Sequence, residues 1–127
     1  MKSSLILAAS IAVIGCGGSK SVNLNMQNSS GESGKATLTD KGNNTTEVLL
    51  ALSGGNDNGA QIAHIHVGQC ANLGAPYVTL TSVQNGVSAT TVAYKLTDLE
   101  GGRYAINIHN SQTPTVVTTY VACGDIN

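Results

Sequence analysis

Apolar and polar residues alternate along several short segments of the chain, and this period of two is typical of β-strands. The alternating segments are 35–39, 45–53, 61–67, 77–83, 87–94, 104–109 and 116–122. Turn residues separate them, and the clearest is Gln84-Asn85-Gly86, a hairpin signal. The pattern predicts an all-β domain of about seven to eight strands, folded as an antiparallel sandwich or flattened barrel.

Three stretches between the strands lack this alternation. Residues 54–59 are polar and predict a loop, and residues 68–76 predict an irregular connection. In residues 95–103 two leucines lie three apart before a Gly-Gly pair, which predicts a single helical turn. A further loop is expected around Pro114.

The composition restricts what the core is made of. The chain has four tyrosines and no phenylalanine or tryptophan, so the core must be built from valine, isoleucine, leucine and alanine. Only 10% of the residues are charged, as expected for short strands and turns rather than helices.

The first residues have the pattern of a secretion signal, residues 1–15. Lys2 precedes an apolar run over 5–14, which is too short to span a bilayer permanently. The run ends in Val-Ile-Gly-Cys16, which resembles the bacterial lipobox, whose cysteine is acylated. We therefore predict lipidation of Cys16 and a membrane-anchored lipoprotein of the bacterial cell envelope, facing periplasm or exterior. An ordinary cleaved signal with a chance cysteine is the alternative.

The segment after the predicted signal is polar. Residues 16–34 hold the lipidated cysteine and a run rich in Ser, Asn and Gly, which predicts a flexible tether ahead of a β-sandwich domain over 35–127. Without the leader, five basic residues stand against seven acidic ones, a net charge of −2. This charge argues against a nucleic-acid partner.

The chain contains three cysteines, an odd number. If Cys16 carries lipid, Cys70 and Cys123 remain as a pair in an oxidising compartment. A disulfide between them is the prediction. The alternative is that both thiols bind a metal ion beside the histidines.

All three histidines lie on predicted strands. Side chains of a strand point alternately to its two faces, so His64 and His66 share one face, opposite apolar residues. The same rule places Asn107 and His109 together on a later strand. If the apolar faces form one core, the three imidazoles lie outside it and form a trigonal nitrogen site for copper. Asn107 and Asn110 are expected to be surface residues; orienting the imidazole rings is the alternative.

The order of these patterns resembles a known fold. It consists of a Gly-x-Ala-x-Leu strand, a Leu-x-Leu-Ser-Gly strand, His-x-His followed by Gly and Cys, a late strand ending in His, and Ala-Cys-Gly-x-Ile. This order resembles copper/zinc superoxide dismutase, a Greek-key β-sandwich, over residues 33–126. The chain also resembles the chordin-type (CHRD) domain, whose His-x-His-x-Gly and Tyr-x-x-Asn-x-His patterns match residues 64–68 and 104–109.

The dismutase resemblance implies a copper site that lacks the family's zinc site and its guiding arginine. It places three residues at copper-ligand positions: His64, His66 and His109. Cys70 and Cys123 take the places of the family's disulfide. No histidine lies between His66 and His109, so the family's zinc site has no counterpart. Tyr120 stands where the family has the arginine that attracts superoxide.

Two classes of function follow from these resemblances. The first is a copper-binding, dismutase-like lipoprotein with one copper per chain, no zinc, and weak or lost superoxide dismutase activity. Its partners would be superoxide or a copper-handling protein, and Arg103 and Lys95 are the cations nearest to the His109 strand in the sequence. The second class is a non-catalytic CHRD-type structural or interaction module of the cell envelope.

Overall fold

The computed structural model describes residues 18–111 and 119–127, and this part of the chain is an all-β domain. Its elements are β1 (Ser19–Met26), β2 (Glu32–Gly42), β3 (Thr45–Gly54), β4 (Gln61–Gln69), β5 (Asn72–Val83), β6 (Val87–Val92), α1 (Leu96–Leu99), β7 (Tyr104–His109) and β8 (Tyr120–Ile126). The helical turn predicted within 95–103 is α1. The predicted signal segment, Cys16, the Pro114 loop and the first part of the predicted strand 116–122 lie outside the described residues.

The strands form one antiparallel sheet in the order β5-β4-β7-β8-β1-β2-β3-β6. Its two end strands, β5 and β6, follow each other in the chain and pack together, so the sheet curls into a nearly closed barrel. The hairpin turn joining them uses Asn85 and Gly86 at φ 52° and 80°, as the sequence predicts. The β3–β4 and β6–β7 connections cross the barrel. The predicted Greek-key architecture is thus confirmed.

The core is aliphatic, as the composition requires. Inward-facing residues of all strands fill the barrel, and those with no exposed surface include Leu38, Val48, Ile65, Ile106 and Ile108. Tyr94 and Tyr104 pack against this core at its edge. Since these side chains alternate along their strands, burying them fixes which residues face outward, including the histidines.

The segment predicted as a tether contributes a strand. β1 lies in the middle of the sheet, pairing with β2 through Ser19–Leu24 and with β8 at Asn25 and Met26. Only Val22 and Leu24 of this strand are buried. Two alternating apolar residues are enough to form a strand here, because β2 and β8 supply partners for the backbone hydrogen bonds of β1. Within the described residues, strand structure is therefore present from Ser19 onward, ahead of the predicted start at residue 35.

The prediction of an irregular connection over 68–76 is wrong, because most of these residues belong to strands. β4 continues to Gln69, a two-residue turn follows, and β5 begins at Asn72. The sequence does not alternate here because most side chains in the first part of β5 are exposed on both faces of the strand. Backbone pairing alone requires no apolar residues. Within the part of the chain that the structure covers, no helix is long and apolar enough to cross a membrane.

Candidate metal centre

The histidines lie on the outer face of two neighbouring strands. His64 and His66 are on β4, which pairs with β7 so that His64 lies opposite Asn107. Ile106 is buried on the inner face, as the alternation predicts, and His109 lies at the end of β7. The pairing of β4 with β7 therefore brings together the three predicted ligands.

Each of the three rings has a nitrogen that can bind a metal, and these nitrogens lie within 4.8 Å of one another in His64, His66 and His109. The closest pair is Nδ1 of His64 and Nε2 of His109, 3.3 Å apart. The ring centroids are 5.3 to 6.0 Å apart. Three imidazoles are thus positioned to bind a single metal ion.

The tautomer of His66 is set by a backbone carbonyl. Its Nδ1 lies 3.0 Å from the oxygen of Gly74 and donates to it, which leaves a lone pair on Nε2. That Nε2 is buried and has no hydrogen-bond partner among the described residues. A ligating histidine typically has this arrangement, with one nitrogen held by a carbonyl and the other directed at the metal.

The carbonyl of Gly74 was not foreseen from the sequence. Irregularities in the β4–β5 pairing, on both sides of His66, set its position relative to this ring. At the nearby turn Gly68 has φ 93°, and a Cβ there would lie 2.7 Å from the Asn72 oxygen, so only glycine fits. The glycines were the only available signal, and they do not identify which carbonyl is used.

The three rings differ in exposure. His66 and His109 are buried, with 4% and 3% of their surface exposed, while His64 is half-buried. Burial lowers the pKa of His64 below its usual value, and the positive charges of His109 and His66 lower it further. The neutral form that binds metal is therefore favoured at His64.

Asn107 is fully buried, so the prediction of a surface asparagine is wrong for this residue. Its Nδ2 lies 3.4 Å from Nε2 of His109, and its Oδ1 has no hydrogen-bond partner among the described residues. Alternation placed Asn107 on the histidine face correctly. Its burial depends on elements distant in sequence, which a strand pattern cannot show. Asn110 is half-buried, and its amide nitrogen donates to the Thr119 oxygen over 2.9 Å.

Tyr120 lies against the histidines. Its ring centroid is 5.1 Å from that of His109 and 6.5 Å from that of His66. Asn28, in the turn after β1, holds this position by donating to the Tyr120 carbonyl over 2.9 Å. An aromatic ring thus occupies the place where the dismutase resemblance expects a guiding arginine. Arg103 lies over the ring of Tyr104 instead, at the start of β7.

The disulfide Cys70–Cys123 is present, as predicted. Cys123 lies opposite Asn107 in the β7–β8 pairing, and the Cys70 amide donates to Asp125 over 2.7 Å. Because both sulfurs are in the bridge, the alternative of thiol ligands is wrong. The donor atoms of the three-residue cluster are all imidazole nitrogens.

Comparison with known protein families identifies the class of the chain. The model of the CHRD domain family matches residues 18–116, which is most of the chain. The protein therefore belongs to the CHRD domain family, and this part of the predicted resemblance is confirmed. Neither a curated protein nor a solved structure matches the chain, so the resemblance to superoxide dismutase stays a prediction.

Proposed function

We propose that this CHRD domain holds one copper ion per chain in the bacterial cell envelope and does not turn over superoxide rapidly. The observation that carries the proposal is the buried Nε2 of His66, which lacks a partner among the described residues and lies beside two other imidazoles. A buried polar atom without a partner is costly, and a bound metal ion removes that cost. The lipid anchor on Cys16 remains part of this proposal.

The donor set favours copper among the common metal ions. Imidazole nitrogens suit copper and zinc, whereas magnesium and calcium prefer oxygen ligands. For a given nitrogen site, Cu(II) binds more tightly than Zn(II). Copper bound to these residues would supply a one-electron couple, and His66, already oriented by Gly74, would bind without changing its tautomer.

The surroundings of the site favour holding the metal over fast catalysis. Rapid dismutation depends on positive charge that draws the superoxide anion toward the metal. Tyr120 is uncharged and packs on His109, and Arg103 lies at the other end of β7. The net charge of the exported chain is negative as well. The site is therefore that of a CHRD module which stores or passes on copper.

The test is metal binding by the exported protein, purified and stripped with a chelator. We expect one copper per chain, with nitrogen ligation in the Cu(II) spectrum. His64→Ala, His66→Ala and His109→Ala should each lower the affinity by about a hundredfold or more. Thr79→Ala is the matched control, because Thr79 lies opposite His64 on the same outer face and is exposed.

Two results would contradict the proposal. If wild-type protein binds no copper, or if binding persists when all three histidines are replaced, the site is not a copper site. The non-catalytic structural or interaction module of the CHRD class would then be the better explanation. Pulse radiolysis of the copper-loaded protein should give a dismutation rate about tenfold or more below a steered, near-diffusional one. A near-diffusional rate that falls steeply with salt would disprove the holding role.

A further inference from the structure

The unsatisfied polar atoms of the domain are concentrated at one place. Among the residues that the structure describes, two buried side-chain nitrogen or oxygen atoms have no hydrogen-bond partner: Nε2 of His66 and Oδ1 of Asn107. Both belong to the outer face of the β4–β7 pair. Since buried polar atoms nearly always have partners, two exceptions in one cluster call for one explanation. The proposed copper site accounts for Nε2 of His66 but not for Oδ1 of Asn107.

Asn107 is about as close to a ring nitrogen of His109 as His64 is. Its amide lies 3.4 Å from Nε2 of His109, and Nδ1 of His64 lies 3.3 Å from that same nitrogen. Two ligands of a tetrahedral ion, each at about 2.1 Å, lie roughly 3.4 Å apart. The distance between Asn107 and His109 is therefore compatible with both side chains binding the same ion.

The hydrogen bond from Asn107 cannot coexist with a metal on His109. In the metal-free site, Nδ2 of Asn107 donates to the lone pair of His109 Nε2. A metal ion bound to that nitrogen occupies the lone pair, so the donor loses its acceptor. The two ends of an amide have the same shape, and a half-turn about the Cβ–Cγ axis places the oxygen there instead. The oxygen can then bind the ion and so gains a partner, while the amide nitrogen turns to the position that the oxygen held.

We propose that Oδ1 of Asn107 is the fourth ligand of the copper ion and completes a set of three nitrogens and one oxygen. The inference rests on the proposed copper site and deepens it. An amide oxygen is a hard ligand, which favours Cu(II) over the softer Cu(I). The residue therefore stabilises the oxidised ion and lowers the reduction potential of the site. A site held in one oxidation state suits a protein that stores copper.

The test compares wild-type protein with Asn107→Leu, whose side chain has the same number and branching of heavy atoms and no polar atom. Affinities for Cu(II) and Cu(I) are measured separately, together with the Cu(II) electron paramagnetic resonance spectrum. We expect the Cu(II) affinity to fall about tenfold or more and the Cu(I) affinity to stay within about threefold. The potential then rises by about 59 mV for each tenfold change in the affinity ratio. Thr79→Leu is the control for adding a leucine on this face.

Asn107→Asp keeps an oxygen and removes the amide donor. It should retain Cu(II) binding and the oxygen signature in the spectrum. If Asn107 instead formed a hydrogen bond to a water on the metal, the wild-type spectrum would broaden in water labelled with a magnetic oxygen isotope, and the proposal would be wrong. The aspartate variant also provides the answer if the leucine variant fails to fold.

The metal-free melting temperature separates a ligand from a structural residue. Without metal, Asn107→Leu removes an unpaired buried oxygen and also the hydrogen bond from Nδ2 to His109, so its melting temperature should stay close to that of wild type. A lower melting temperature together with equal losses of Cu(I) and Cu(II) affinity would show a structural role and overturn the inference. Unchanged Cu(II) affinity and spectrum would overturn it as well. Absence of copper from wild-type protein is a different result, because it refutes the copper site itself.

Discussion

Two clusters of rings lie at opposite ends of β7. The residue at its start, Tyr104, stacks on Tyr77 with a centroid distance of 4.8 Å, and Tyr77 lies 5.0 Å from Tyr94. At its end, His109 belongs to the histidine cluster, with centroid distances of 5.3 Å and 6.0 Å to the other two imidazoles. The two clusters have the same number of rings at similar spacing. They differ in what happens to their polar atoms.

No tyrosine hydroxyl of this cluster is among the buried atoms that lack a partner in the described part of the chain. Hydrogen bonding to Tyr104, desolvation and hydrogen bonding to Tyr94, with the charges of these two partners, raise the pKa of Tyr77 to about 12. In the histidine cluster, a ring nitrogen of His66 and the oxygen of the adjacent Asn107 have no partner in the described part of the chain. Ring packing alone would suggest the same role for both clusters. The presence of buried polar atoms without partners distinguishes the histidine cluster from the tyrosine cluster and supports the proposed metal site.

The largest expected effect comes from removing the disulfide, which lies beside the histidine cluster because Cys123 pairs with Asn107. Replacing Cys70 and Cys123 together by serine opens a loop with a sequence separation of 53 residues. In the chain-entropy model this lowers the free energy of unfolding by about 4 kcal/mol. Denaturant titration of the metal-free protein measures the loss. Copper should still bind and restore part of the stability, because ligands bind the native state. A double-serine variant that folds but no longer binds copper would contradict the all-nitrogen histidine cluster.

A smaller effect is expected from the tyrosine cluster. Tyr104→Phe removes one hydroxyl that bonds to Tyr77, so the pKa of Tyr77 should fall toward its usual value of 10.0. The free energy of unfolding and the copper affinity should both stay close to those of wild type, because Tyr77 is exposed to solvent. Ultraviolet titration of the phenols measures the pKa, with Tyr120→Phe as the control that leaves Tyr77 unaffected. Loss of copper from the Tyr104 variant would show that the two clusters are not independent.

The smallest effect is a pH dependence of the metal-free protein. Burial and the neighbouring imidazoles hold the pKa of His64 below 6.5 in the folded chain. The unfolded chain therefore binds more protons below about pH 6.5, so this contribution to stability is present above that pH and is lost as the pH falls. Unfolding curves from pH 7.5 to 5.0 should show the decline, and His64→Gln should flatten it. Identical slopes for both proteins would mean that His64 is not perturbed.

The strands that alternate clearly were predictable from the sequence. β7 matches its predicted segment, and β3 and β4 start where the alternation starts. Two strands differ from the prediction for physical reasons. β1 has only Val22 and Leu24 to bury and depends on its neighbours, and the first half of β5 is exposed on both faces. The alternation of apolar and polar residues reflects which side chains are buried. Strands held mainly by backbone hydrogen bonds therefore cannot be recognised from this alternation.

The candidate site was predictable in its ligands but not in its surroundings. Alternation alone placed His64, His66 and His109 on outer faces, and the pairing of β4 with β7 brought them together. The burial of Asn107 and the carbonyl that holds His66 depend on contacts distant in sequence or on irregular pairing. These are the features that give the site its ligand chemistry, and they required the structure.

The position of β8 has a consequence for the order of events in synthesis. β8 separates β7 from β1 in the sheet, although almost the whole domain lies between β1 and β8 in the chain. A chain delivered from its first residue to its last, at the ribosome or across a membrane, leaves β7 and β1 each with an unpaired edge until β8 emerges. The Cys70–Cys123 bridge cannot form before that moment, because Cys123 lies within β8. The seven residues of β8 are therefore required for three events: closure of the sheet, formation of the disulfide and the contact of Tyr120 with His109.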